Sequence, residues 1–167
     1  MRVKYGSYAV IASASAAAGV AGYFGGGLDN SSNYLSGIDK ITFPADTKTT
    51  LSATLTTARQ TLAAMANSGV AGYFGGGSDG ANISSIDKVA FPADTKTTLS
   101  ATLTTILQQA TGMANSGVAG YFGGGTDSGQ ISGIDKITFP ADTKTTLSAT
   151  LTTARYSLAG MADSGAI

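Results

Sequence analysis

Cysteine, histidine, tryptophan and glutamate are absent from these 167 residues. Without cysteine there is no disulfide framework, no thiolate nucleophile and no reading of the redox compartment. The lack of cysteine and histidine also excludes the common zinc sites and any nucleophile–base pair built on either residue. Only Ser/Lys or paired-Asp chemistry is left, and no spacing in the chain supports it. Charge is sparse, at 12% of residues against roughly 25% in ordinary soluble domains. Ten Lys+Arg balance ten acids, all of them Asp, so no net field favours nucleic acid or an anionic membrane. No apolar run approaches the ~20 residues of a membrane span.

What is present is repetition. Gly-Val-Ala-Gly-Tyr-Phe-Gly-Gly-Gly stands at residues 19–27, 69–77 and 117–125. Phe43-Pro44-Ala45-Asp46-Thr47-Lys48-Thr49-Thr50-Leu51 recurs unchanged at 91–99 and 139–147, 48 residues apart each time. The glycine blocks are 50 and then 48 residues apart, and the two extra residues fall around Asp29-Asn30-Ser31-Ser32-Asn33-Tyr34. An insertion confined there marks a surface loop. The chain therefore divides into residues 1–18, a first repeat at 19–68, a second at 69–116, and a third at 117–167 that carries an extra C-terminal strand. Met1-Arg2-Val3-Lys4, the apolar run 8–12 and Ala16-Ala17-Ala18 imitate a secretory leader. The apolar run is short and broken by Ser13 and Ser15, so residues 1–18 are read first as an arm, or as a strand from 8–13 pairing with the first glycine-ended strand.

Each repeat predicts four strands. In the second they are 61–66, then 70–75 after the turn Asn67-Ser68-Gly69, then 86–91 with apolar/polar alternation, then 98–105 after a turn at 92–97. Leu99, Ala101 and Leu103 share one face of the last. A helix over 51–66 is the alternative, since Leu and Ala favour helix, but the β-branched Thr54, Thr56 and Thr57 argue against it.

A repeat near 50 residues, an aromatic strand ending in glycines and an Arg opening the next hairpin resemble kelch-type β-propeller repeats. The match runs through residues 38–43, 51–59, 59–65 and 69–77, and covers nearly the whole chain. It implies an all-β fold of three four-stranded antiparallel blades. The wording GYFGGG…IDKITFPADTKTTLSATLTTAR is also similar to kelch-like repeats in structural proteins of marine cyanophages, which implies a tail or fibre component. The polar, weakly charged surface suits a virion or extracellular setting. The chain departs from the family in three ways. The usual Trp is replaced near Thr50 or Leu51, Leu107 stands where the other repeats have Arg59 and Arg155, and three blades cannot close a ring that needs at least four.

Asp39-Lys40, Asp87-Lys88 and Asp135-Lys136 recur on the third strand. They read as solvent-facing residues rather than as charge pairs lining a pocket, since neighbours on a strand point to opposite faces. Asp29, Asp79 and Asp127 follow the glycines, but one carboxylate per loop is too few for calcium. The triple glycine is no phosphate cradle, for want of a following helix and Lys; close packing of strands explains it better. Asp46, Asp94 and Asp142 make turns. Tyr23, Tyr73 and Tyr121 are expected in the blade core rather than stacked on sugars. Phe43, Phe91 and Phe139 are expected buried at equivalent positions, with Tyr73 and Phe74 on opposite faces. Asn30-Ser31-Ser32 and Asn82-Ile83-Ser84 fit a glycosylation pattern by coincidence.

These readings point to a non-enzymatic repeat protein with no cofactor and no metal. Its expected partner is itself, in a ring or head to tail, since an unpaired strand is a pairing site. Tyr156, Leu158, Met161 and Ile167 are the candidate assembly residues. An extracellular filament is the alternative setting. The rival class is a glycan-binding module using loops 28–35, 78–83 and 126–131, with Asp29, Asn30, Asn33, Tyr34, Asp79, Asn82, Asp127 and Gln130 as candidate recognition residues.

Overall fold

A computed structural model describes residues 20–163. The expectations about residues 1–18, and about Ile167, lie outside this range. The described chain is all-β and forms three antiparallel sheets. Sheet 1 is β1 (Ala21–Gly25), β2 (Ile38–Thr42) and β3 (Thr47–Thr50). Sheet 2 is β4 (Ala63–Asn67), β5 (Ala71–Gly75), β6 (Ile86–Ala90) and β7 (Thr95–Thr98). Sheet 3 is β8 (Thr111–Asn115), β9 (Ala119–Gly123), β10 (Ile134–Thr138) and β11 (Thr143–Thr146). Strands neighbour one another in chain order within each sheet. No helix forms over 51–66, and among the described residues no helix is long and apolar enough to cross a membrane.

Alternation drives the strands. Ala63, Met65 and Asn67 of β4 are buried while Ala64 and Ala66 are exposed, the period of two that a pleated strand imposes. The β4–β5 hairpin closes through the Val70 amide donating to Asn67 O at 3.0 Å, with Gly69 at φ +71°, a sign that glycine adopts without Cβ strain.

The fourth strand is not where the sequence places it. The Phe–Pro bond in each repeat is cis, and Asp94 follows at φ +56° with its amide donating to Ala90 O at 2.9 Å. The turn is thus tight, and pairing resumes at Thr95, opposite Ala90. Beyond Thr98 the apolar residues recur every four positions, which no strand can bury on one face. The amides of Leu99, Leu103 and Leu107 donate instead to Ile86 O, Ser84 O and Ile83 O. Residues 99–105 are therefore a connector stitched to the preceding loop, and Leu103 and Leu107 are buried.

The sheets stack face to face, and each hairpin that opens a sheet crosses the boundary between sequence repeats. Ile38, Leu55, Phe74 and Val89 form the core between sheets 1 and 2. Tyr73, Ile86, Leu103, Phe122, Ile137 and Phe139 lie in the core between sheets 2 and 3. Tyr73 and Phe74 thus face opposite ways, as expected. The glycines make the stacking possible. A Cβ on Gly75 would meet the Phe122 ring at 2.7 Å, and one on Gly76 would sit 2.5 Å from Leu107 O.

Candidate functional site

No side chains converge on a reactive centre, so the chemistry of this protein lies in how one sheet recognises the next. Two polar clusters recur at that boundary.

The first joins one repeat's Tyr and Lys to the next repeat's Asp. Tyr23 OH donates to Asp94 Oδ1 at 2.7 Å and Lys40 Nζ to Oδ2 at 2.8 Å. Tyr73 OH and Lys88 Nζ donate to the two oxygens of Asp142 at 2.8 and 2.6 Å. Each ammonium also lies 5.6 Å from the centroid of its tyrosine ring, a favourable cation–π distance. Burial, and then the acceptor Asp94, push the Tyr23 hydroxyl above its ordinary pKa; the same causes, with Asp142, raise Tyr73 further. The bond to Asp94 holds Lys40 above its ordinary value. Below these polar groups the rings stack: Tyr23 on Phe91 at 4.7 Å and Tyr73 on Phe139 at 5.2 Å.

The second cluster is buried. Arg59, in the connector before β4, is fully enclosed and reaches Asp87 Oδ2 at 3.0 Å, Phe74 O at 3.3 Å and Ser85 Oγ at 2.7 Å. Its Nε has no partner. Asp87 also accepts from the Thr56 amide at 2.9 Å, the Thr56 hydroxyl at 2.7 Å and the Thr98 hydroxyl at 2.8 Å. Burial opposes its ionisation, but these donors and Arg59 outweigh burial and hold Asp87 below the usual carboxylate value. Burial lowers Arg59, against the pull of Asp87 and Asp79. In sheet 3 the pattern recurs without its cation. Asp135 accepts from Thr104 and Thr146, and Leu107 fills the place that Arg59 fills one repeat earlier.

The solvent-facing reading of the Asp-Lys pairs is therefore corrected. Asp87 and Asp135 are buried and Lys88 is mostly covered. Each pair does point to opposite faces, but both faces are inter-sheet boundaries, so neither residue is left to water. Only Asp39, on the outer side of sheet 1, stays half-exposed, held by Thr50 and Lys48. The turn residues Asp94 and Asp142 are more than turns. Sequence reasoning missed their Tyr and Lys partners, although one Tyr, one Lys and one Asp recur per repeat, with Lys and Asp 54 residues apart each time.

Both ends of the stack carry the same groups without their counterparts. On sheet 1, Phe24 is 71% and Phe43 45% exposed, although Phe74, Phe122 and Phe139 are buried. The expected burial of Phe43 is thus wrong, because no tyrosine of a preceding repeat covers it. Asp46 is exposed. On sheet 3, Tyr121 is half-buried and Arg155 exposed. Of the assembly candidates, Tyr156 and Met161 are exposed and Leu158 packs beside Gly124.

The recognition candidates lie on loops at one end of the sheets. Asp29, Asn30, Asn33, Tyr34, Asp79, Asp127 and Gln130 are exposed, and Asn82 is half-buried. Asp29 is held within its own loop by the Ser31 and Asn33 amides and the Asn33 side chain, which lower its pKa. The loops adjoin one another. Asn82 Nδ2 donates to Thr126 O at 3.4 Å and Asp127 O at 3.3 Å, and a Cβ on Gly80 would lie 3.8 Å from the Tyr34 hydroxyl. Among the described residues no three His, Cys, Asp or Glu stand close enough to hold a metal. No protein-family model matches the chain, and no curated protein matches it.

Proposed function

We propose that this chain is a non-enzymatic structural protein that assembles with copies of itself, its three sheets acting as kelch-like propeller blades. The observation behind this reading is the complementarity of its two flanks. One presents Phe24, Phe43, Asp39 and Asp46; the other presents Tyr121, Lys136 and Arg155. These are the partners that meet at the two internal boundaries. Exposed apolar surface rimmed by matched polar groups is what an interface requires. The virion setting, as a tail or fibre component, rests on the repeat resemblance and the weakly charged surface; an extracellular filament uses the same contacts elsewhere. Light scattering and electron microscopy of the purified chain test the assembly, which is expected as rings or filaments. A monomer at every concentration refutes it. Proteomics of purified particles tests the setting.

Glycan recognition is a second reading, favoured by the adjoining loops. A glycan array should then show binding that Tyr34→Ala and Asn82→Ala weaken together.

A further inference from the structure

A cleft of ≈ 480 Å³ opens between sheets 1 and 2, lined in part by Val20, Tyr23, Met65, Gly72, Tyr73 and Phe91. The corresponding place between sheets 2 and 3 is filled. There β4 lies along β8 and β9, and Met65 covers Gly120 so closely that a Cβ on that glycine would collide with the sulfur. Sheet 1 differs from the others in one respect: among the described residues, β1 pairs with β2 alone, so its other edge carries no strand.

Residues 159–163 read Ala-Gly-Met-Ala-Asp, against Ala-Ala-Met-Ala-Asn in β4 and Thr-Gly-Met-Ala-Asn in β8. They are already placed on the repeat lattice. The Ser157 amide donates to Gln109 O at 2.9 Å, as the Gln109 amide does to Thr61 O at 2.9 Å. A Cβ on Gly160 would lie 3.0 Å from Gly112 O, as one on Gly112 would press on Ala64 O. Yet no described strand pairs with residues 159–162, and Met161 is 90% exposed where Met65 is 7% exposed.

The geometry points to strand addition between copies: residues 159–163 of one molecule lie antiparallel to β1 of the next, in the register of the two hairpins. That register sets Met161 opposite Tyr23 and Ala162 opposite Gly22, by analogy with Met65–Tyr73 and Ala66–Gly72. The inference rests on the self-assembly proposed above and specifies its contact. Separate features fit the one register. Met161 enters the cleft over Gly72, as Met65 lies over Gly120. Arg155 reaches Asp39 as Arg59 reaches Asp87. Tyr121 and Lys136 meet Asp46 as Tyr73 and Lys88 meet Asp142. The contact is heterologous and propagates head to tail, with main-chain bonds supplying a strand to an open edge. The rival occupant of the cleft is residues 13–17 of the same chain. They read Ser-Ala-Ser-Ala-Ala and lack the methionine that fills the equivalent place between sheets 2 and 3.

The test uses the full chain and sedimentation velocity. Met161→Glu places a charge on a side chain that touches little in the single molecule, so circular dichroism stays unchanged while the concentration for half-assembly rises about tenfold or more. Arg155→Asp weakens assembly likewise, and adding Asp39→Arg to it restores assembly. Because the chain has no native cysteine, Ala21→Cys with Asp163→Cys gives a ladder of disulfide-linked chains under mild oxidant, whereas Ala21→Cys with Ala162→Cys, on the opposite face, gives less. If the unaltered chain assembles but the variants assemble equally well and no ladder forms, the strand-addition contact is overturned, the cleft belongs to residues 13–17, and self-assembly stands. If the unaltered chain never assembles, both fall.

Discussion

Phe43 and Phe139 begin the same nonapeptide, so local sequence assigns both rings the same importance. Their surroundings differ. Phe139 is 6% exposed and stacks on Tyr73 at 5.2 Å. Replacing it by Ala forfeits the transfer free energy of a whole ring, about 1.5–3 kcal/mol, and the stacking contact, about 0.5–1.5 kcal/mol. It also opens a void between two sheets whose backbones cannot close on it. The sum is the usual cost of a core aromatic, about 3–5 kcal/mol. Phe43 is 45% exposed and has no stacked ring. Its truncation loses about half the transfer term, about 1 kcal/mol, and water rather than a void takes the space.

The two variants should therefore differ by about 2 kcal/mol or more. Urea unfolding followed by tyrosine fluorescence measures this, since no tryptophan is present, at a concentration where the chain is monomeric. A gap below about 1 kcal/mol would falsify the claim that position in the stack, not local sequence, sets the burial of these rings. Concentration supplies an internal check. If Phe43 meets Tyr121 of another copy, the cost of Phe43→Ala grows as the chain assembles, while that of Phe139→Ala stays constant.

Asp87→Asn should cost about 3–5 kcal/mol because it strands a buried guanidinium. Asp135→Asn should cost about 1–3 kcal/mol, since it faces Leu107 and loses only hydrogen bonds; thermal unfolding ranks the two. Asp87 titrates below its ordinary 3.8 in the folded chain, so its contribution is complete at neutral pH and is lost as pH falls through that range. The acid limb of stability against pH should flatten in Asp87→Asn. Tyr23 and Tyr73 titrate above their ordinary 10.0, so their contribution is complete below pH 10 and lost as pH rises beyond it, which urea midpoints at alkaline pH will show. Gly76 has φ +69° with Leu107 O 2.5 Å from the Cβ position, whereas Gly69 has φ +71° and open space. Gly69→Ala should cost about 1 kcal/mol, and Gly76→Ala clearly more, by the same unfolding assay.

Local pattern sufficed for most of the architecture and failed where partners are distant. The Ala63–Asn67 alternation, the Asn67-Ser68-Gly69 turn and the glycine-ended aromatic strands were legible because each signal lies within a few residues of its consequence. Residues 99–105 were misread because Thr favours strands, while the decisive feature is a spacing of four between leucines whose amides bond a loop some 13 to 24 residues earlier. The Asp94 and Asp142 clusters were missed because their partners lie in the preceding repeat, where alternation carries no information.

Repetition itself then becomes evidence of a different kind. Three identical nonapeptides should have identical environments if each repeat were a closed unit, and they do not. Phe139 is buried, Phe91 is partly covered and Phe43 is largely open. On the neighbouring strands Met65 is enclosed, while Met113 and Met161 are exposed. The two series run in opposite directions along the chain. The phenylalanines are open at the first sheet, and the methionines are open at the third. A stack exposing the same groups at both ends would be self-complementary and would pair by twofold symmetry. This one exposes acceptors at one end and donors at the other, aromatic rings at one and the surfaces that cover them at the other. Its contacts with further copies are therefore polar in direction, and any assembly built on them grows head to tail.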